Sequence, residues 1–102
     1  MAEQFQYHFE WDSAKPAGNR RKHRVGFELA ATVFRDPLAL SRFDEEHSED
    51  EERWVTLGRA GNGDLLVVVH TFKELNDRNA AVRIISARAA TKRERQNYEN
   101  LP

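Results

Sequence analysis

The chain has 102 residues, no cysteine and no run of about eighteen apolar residues, which excludes disulfide scaffolds, thiolate chemistry and a membrane-spanning helix. Its formal net charge of −1 hides an uneven distribution: seven of the seventeen acids lie within residues 44–52, and the other ten stand against sixteen Lys and Arg. The chain therefore reads as one domain, residues 1–102, with a basic body, the minimum condition for binding a nucleic acid, and one acidic loop.

Phe5, Tyr7, Phe9 and Trp11 alternate with Gln6, His8 and Glu10, the pattern of a half-buried strand. Asp12 or Ser13 then caps a helix running to about His23, with Pro16 in the first turn, where its missing N–H does no harm. The helix ends in Arg20-Arg21-Lys22-His23-Arg24, a charge run that suits either the negative pole of the helix or a phosphate-contacting edge. Val25-Gly26 turns the chain into a second short helix over residues 27–34, whose expected buried stripe is Phe27, Ala30, Ala31 and Phe34. Asp36-Pro37 stops it.

A strand is expected over 38–43, then the acidic loop, then a strand over 53–59 with Arg53, Val55, Leu57 and Arg59 on one side. Gly61-Asn62-Gly63-Asp64 supplies a hairpin turn into the apolar run 65–71, which has the character of a central strand covered on both faces. Residues 73–79 read as a polar turn longer than a tight hairpin needs. The final strand, from Ala80, feeds into a helix opened by Thr91 and Glu94, three apart as a capping box requires. The order β-α-α-β-β-β-β-α predicts an α+β domain, an antiparallel meander with helices packed on it.

No glycine-rich nucleotide loop is present, and His8, His23, His47 and His70 lack metal-ligand spacing, so neither a metal nor a cofactor is expected. Lys92, Arg93 and Arg95 open the last helix against its dipole, at about 0.3–1 kcal/mol each. That fits a solvated basic helix, or an anion site at which Arg83, Arg88 and Arg93 meet a phosphate. Arg53, Arg83 and Arg88 sit on or beside strands, where each needs a structural carboxylate such as Glu10, Glu52 or Asp64, or else a phosphate. RNA cleavage by the 2′-OH needs a clamp for the charge on phosphorus and two proton transfers. Arginines can supply the first, and His47, His23 or Glu52 the second. This reading requires the guanidinium groups to gather where a polynucleotide can lie, unpaired by acids.

Phe9-Glu10-Trp11-Asp12-x-x-Lys15, Asn19-x-x-Lys22-His23, Val33-Phe34-x-Asp36-Pro37, Glu51-Glu52-Arg53 and Arg83-Ile84-Ile85-Ser86-Ala87-Arg88-x-Ala90-Thr91-x-x-Glu94-x-x-x-Tyr98 follow in order over residues 9–98. Together they resemble the BrnT family, toxins of type II toxin–antitoxin pairs. The resemblance implies a RelE-like fold, a ribonuclease that inhibits translation, and a BrnA-type antitoxin through whose complex DNA is bound. Family-matching positions are Lys22, His23, His47, Arg53, Arg83, Arg88 and Tyr98. Catalytic roles are expected for Arg53, Arg83, Arg88, His47 and His23, and RNA contacts for Lys22, Arg24, Lys92, Arg93 and Tyr98. The family usually has Gly after Lys-His, where this chain has Arg24, and a left-handed residue at a helix end is costlier for Arg than for Gly. The 73–79 turn is also longer than is usual in the family, which bears on access to Arg83. A polar, acidic N-terminus without a signal-peptide profile and the lack of cysteine lead to the expectation of a cytoplasmic protein with no membrane partner. The alternatives are a catalytically inactive RNA- or partner-binding module with the toxin fold, and a structural domain whose arginines pair internally.

Overall fold

The computed structural model describes residues 5–12, 14–47 and 51–100. Strand β1 (Gln6–Glu10) leads into helices α1 (Lys15–His23) and α2 (Phe27–Ala31), the latter prolonged by a 3₁₀ turn, Thr32–Arg35. Then come β2 (Leu40–Phe43), a 3₁₀ turn at Glu45–His47, β3 (Arg53–Arg59), β4 (Leu65–Thr71), β5 (Lys73–Asn76), β6 (Asn79–Ala89) and α3 (Lys92–Glu99). The fold is α+β with a six-stranded sheet in the order β1-β6-β4-β3-β2, β5 also pairing with β6, and it is consistent with a RelE-like architecture.

Two expectations need correction. The sheet is mixed, because β1 lies parallel to β6, Gln6 opposite Asn79 through Glu10 opposite Arg83; only β2 to β6 form the antiparallel part. The 73–79 segment is a strand with a tight turn. Lys73 opposite Ala81 carries on the register of His70 opposite Ile84, so that only Asp77 and Arg78 remain between the paired Asn76 and Asn79. All four β5 residues are exposed, so no hydrophobic alternation marked it in the sequence.

The helices depart from expectation in detail. Ala14 occupies the N-cap of α1 without a side-chain cap; Asp12 accepts the Ala14 N–H at 3.0 Å, and Ser13 lies outside the described residues. In α2 the fully buried positions are Phe27, Ala30 and Val33, every third residue, because the helix tightens to 3₁₀ at Thr32; Ala31 and Phe34 sit half-buried at the rim. Strand β2 starts at Leu40 because the Asp36 carboxylate and carbonyl hold Leu38 and Ala39 in a turn.

Phe27, Ala30 and Val33 pack on Leu66, Val68, Val82, Ile84 and Ala87 to form the core on one sheet face. The opposite face is covered only in part, by α3, whose Glu94 and Asn97 lie over Arg42, Val55, Leu57 and Val67. Because β1 reaches along β6 only as far as Arg83, the outer edge of Ala87 lacks a strand neighbour. Asn19 of α1 replaces one. Its Oδ1 accepts the Ala87 N–H at 3.0 Å, and its Nδ2 donates to Ala87 O at 2.9 Å and Val25 O at 2.8 Å.

A bulge sets the chemistry of the open face. Val69 opposes Ser86 but His70 opposes Ile84, leaving Ile85 extra on β6. Residues five apart on a regular strand point to opposite faces. The extra residue restores Arg83 and Arg88 to the same one.

Candidate active site

At the end of the open face where β3 begins and β4 ends, Arg53 stands opposite Thr71, and the Arg83 N–H donates to Thr71 Oγ1 at 3.1 Å. Arg53, Thr71 and Arg83 thus lie side by side on three neighbouring strands, which places the two arginine backbones about 10 Å apart. The chain entering β3 brings a histidine to the same end. Asp44 N–H donates to Arg53 O at 2.8 Å, and His47 Nδ1 lies 2.9 Å from Asp44 Oδ2. A carboxylate on Nδ1 fixes the proton there and leaves Nε2 as the working nitrogen. The side chain of His47 is 57% exposed, open to a ligand.

Arg83 and Arg88 do not stand free of acids, against the expectation from the sequence. Arg83 donates through Nη2 to Glu51 Oε1. Both side chains of this pair are substantially exposed, so it is screened and worth about 0–1 kcal/mol. Nε and Nη1 of Arg83 have no hydrogen-bond partner among the described residues. Arg88 is tied more firmly. Nη1 and Nη2 donate to Glu94 Oε1 and Oε2 at 2.7 and 2.9 Å, a two-pronged contact. Chiefly through that contact, the carboxyl of Glu94 is pulled down from 4.5 to about 2, and Arg88 is pushed up.

Arg88 does not join the Arg53–Arg83 end. It stands opposite Val67, well along β6, beside the start of α3. The capping box is formed: Thr91 N–H donates to Glu94 Oε1 at 2.8 Å, and Glu94 N–H to Thr91 Oγ1 at 3.2 Å. The chain's own carboxylate therefore occupies the helix start, the place of the phosphate in the anion-site alternative for Arg83, Arg88 and Arg93. Lys92 and Arg93 are exposed in that first turn.

The remaining expected site residues lie elsewhere. Tyr98 donates to Asp36 Oδ2 at 2.7 Å, and the guanidinium of Arg59 sits 5.4 Å from the centre of its ring. That is the far end of β3, about 20 Å from Arg53 at roughly 3.3 Å per residue. Lys22 and His23 close α1, and Arg24 caps it in the left-handed region (φ 60°, ψ 26°), its N–H donating to Arg20 O at 2.7 Å. Through Asn19 and Val25 this helix end is anchored at Ala87, beside the Arg88 half of β6.

Two other histidines meet partners within the chain. His8 Nε2 meets Asn79 Oδ1 at 2.7 Å. His70 is buried on the core side, 2.9 Å from Thr71 O through Nδ1 and 2.6 Å from Thr56 Oγ1 through Nε2. Nδ1 must donate to the carbonyl, so Nε2 accepts from Thr56, which in turn accepts from Ser41 at 2.8 Å. Burial pulls the His70 pKa down and keeps the ring neutral. Glu51 and Asp44 also stand at this end of the sheet, beyond the site residues expected from the sequence. Their signals were present, in the Glu51-Glu52-Arg53 run and in the three-residue spacing of Asp44 and His47. Glu49 and Asp50 of the acidic loop lie outside the described residues.

Residues 11–94, most of the chain, match the family described as the ribonuclease toxin, BrnT, of type II toxin–antitoxin systems. Comparison with curated proteins gave no match. No helix among the described residues is long and apolar enough to cross a membrane.

Proposed function

Because the chain belongs to the BrnT family of ribonuclease toxins of type II toxin–antitoxin systems, we propose that it cleaves RNA without a metal ion, by attack of a ribose 2′-OH on the adjacent phosphate. One observation carries this reading: Arg53 and Arg83 flank Thr71 on one sheet face, with the Asp44–His47 pair at the same end. The two guanidinium groups bind the phosphate and stabilise the charge that builds on its oxygens, commonly the largest electrostatic contribution to such a reaction. His47, held by Asp44, carries a proton to the leaving 5′-oxygen. The products are a 2′,3′-cyclic phosphate and a 5′-hydroxyl. Lys22, Arg24, Lys92 and Arg93 extend the basic surface along which the strand lies. A BrnA-type antitoxin neutralises the toxin by covering the arginine face, and DNA is contacted only through that complex.

The test is incubation of the purified chain with an RNA oligonucleotide in the presence of a chelator. Cleavage to cyclic-phosphate ends is expected, with Arg53→Ala and Arg83→Ala abolishing it while circular dichroism stays native. Expression without antitoxin should arrest growth, and both variants should relieve the arrest. Intact RNA with a well-folded wild-type chain overturns the reading. The carboxylates on Arg83 and Arg88 favour a second reading, an inactive RNA- or partner-binding module. It predicts salt-sensitive RNA binding without cleavage.

A further inference from the structure

We infer that Glu51 is the base that takes the proton from the 2′-OH. The inference rests on the ribonuclease reading above and adds a catalytic residue to it. In this reaction the attacking 2′-oxygen must come within bonding distance of the phosphorus. Any group that deprotonates it must therefore lie within a few ångströms of the phosphate oxygens, and so beside whatever grips them. Among the described residues Glu51 is the carboxylate in contact with Arg83, on Nη2, and it leaves Nε and Nη1 to a phosphate. Phosphate and carboxylate can thus share one guanidinium, the phosphate on two donors and the base beside it.

The surroundings suit the role. Glu52 O accepts the Phe72 N–H at 3.1 Å, fixing the backbone next to Glu51 against the β4–β5 junction. A cleft of about 480 Å³ runs along Glu51, Glu52, Thr71, Phe72, Lys73 and Glu74, leaving room for the ribose of the attacked nucleotide. His47 already has a carboxylate of its own, Asp44, on Nδ1, which orients the ring and leaves Nε2 to serve as the acid. The two roles therefore fall to different groups.

The step balances. A Glu51 oxygen takes the 2′-OH proton while the 2′-oxygen lone pair forms the new bond to phosphorus. The bond from phosphorus to the 5′-oxygen breaks with its electron pair on that oxygen, which takes a proton from the His47 imidazolium. Glu51 ends protonated and His47 neutral, and exchange with water resets both.

The experiment is steady-state cleavage of an RNA oligonucleotide by the full chain and by E51Q, E51A and E51D, across pH, with E28Q, at an exposed carboxylate of α2, as the control. E51Q is expected to lower kcat by about 10²–10⁴-fold with KM unchanged or lower, and to abolish the rise of kcat on the acid side of the profile. E51D should retain part of the activity, formate should restore part of it to E51A, and E28Q should match the wild type. Glu51 is exposed, so none of these variants removes a core contact. An E51Q variant as fast as the wild type, or faster with tighter RNA binding, overturns the assignment and makes the carboxylate a mere occupant of Arg83. A wild-type chain that cuts no RNA brings down the ribonuclease reading itself, and this inference with it.

Discussion

Glu94 holds Arg88 through both of its carboxylate oxygens, at 2.7 and 2.9 Å, and with the same group closes the capping box of α3. One side chain thus fastens the last helix both to its own first turn and to strand β6. Arg88 therefore works as a strut rather than as part of the Arg53–Arg83 end.

Acid should loosen that strut. The Glu94 carboxyl is depressed from 4.5 to about 2, so its stabilisation is complete above about pH 4.5 and is lost as pH falls towards 2. Linkage sets an upper limit of about 3 kcal/mol, which screening at the 40%-exposed Arg88 reduces to about 1–2 kcal/mol. Glu94→Gln should lower the thermal midpoint at pH 7 and flatten its decline between pH 5 and pH 2. Arg88→Ala should cost a similar amount, and the double variant less than the sum of the two. Additive losses in denaturant titrations would separate the two residues.

Arg24 pays for a left-handed backbone that glycine adopts freely. Arg24→Gly should therefore stabilise the chain by about 0.5–1 kcal/mol, a rise in midpoint of roughly 2–8 °C for a domain of this size. Calorimetry checks this. A fall in the midpoint would show that the arginine side chain contributes more than its backbone costs.

Asn19 should be far less replaceable than an ordinary helix residue. Its carboxamide serves two groups of Ala87 and one of Val25, and it is only 8% exposed. Asn19→Ala leaves those buried backbone groups without partners, a loss of about 2–4 kcal/mol by urea denaturation. Asn19→Asp should also destabilise, since a carboxylate cannot donate to the Ala87 and Val25 carbonyls.

Gly58 lets β3 approach the helix layer. A Cβ there would lie 2.7 Å from Val33 Cγ1 and 3.0 Å from Ala39 Cβ, against the buried end of α2. Gly58→Ala should cost about 1–3 kcal/mol. A neutral result in the same urea titration would mean that the turn after α2 yields to the added methyl.

Much of this protein was legible in its residues. The alternation from Phe5 to Trp11 marked β1, the apolar run 65–71 marked the central strand, and Thr91 with Glu94 marked the helix start, because each is a local pattern that only one backbone conformation satisfies. The ordered motifs from Phe9 to Tyr98 carried the family, and the family match over residues 11–94 agrees with them. Pairing between distant segments was not written there. Only the folded sheet could place β1 parallel to β6, reveal the fully exposed β5, and insert the bulge at Ile85 that brings Arg83 and Arg88 to one face. Only the fold, too, could decide which acid reaches which arginine, since Glu51 meets Arg83 across 32 residues of chain. Secondary structure follows from local sterics and periodicity. The partner of a charged side chain follows from register and packing, which bring together groups the sequence keeps apart.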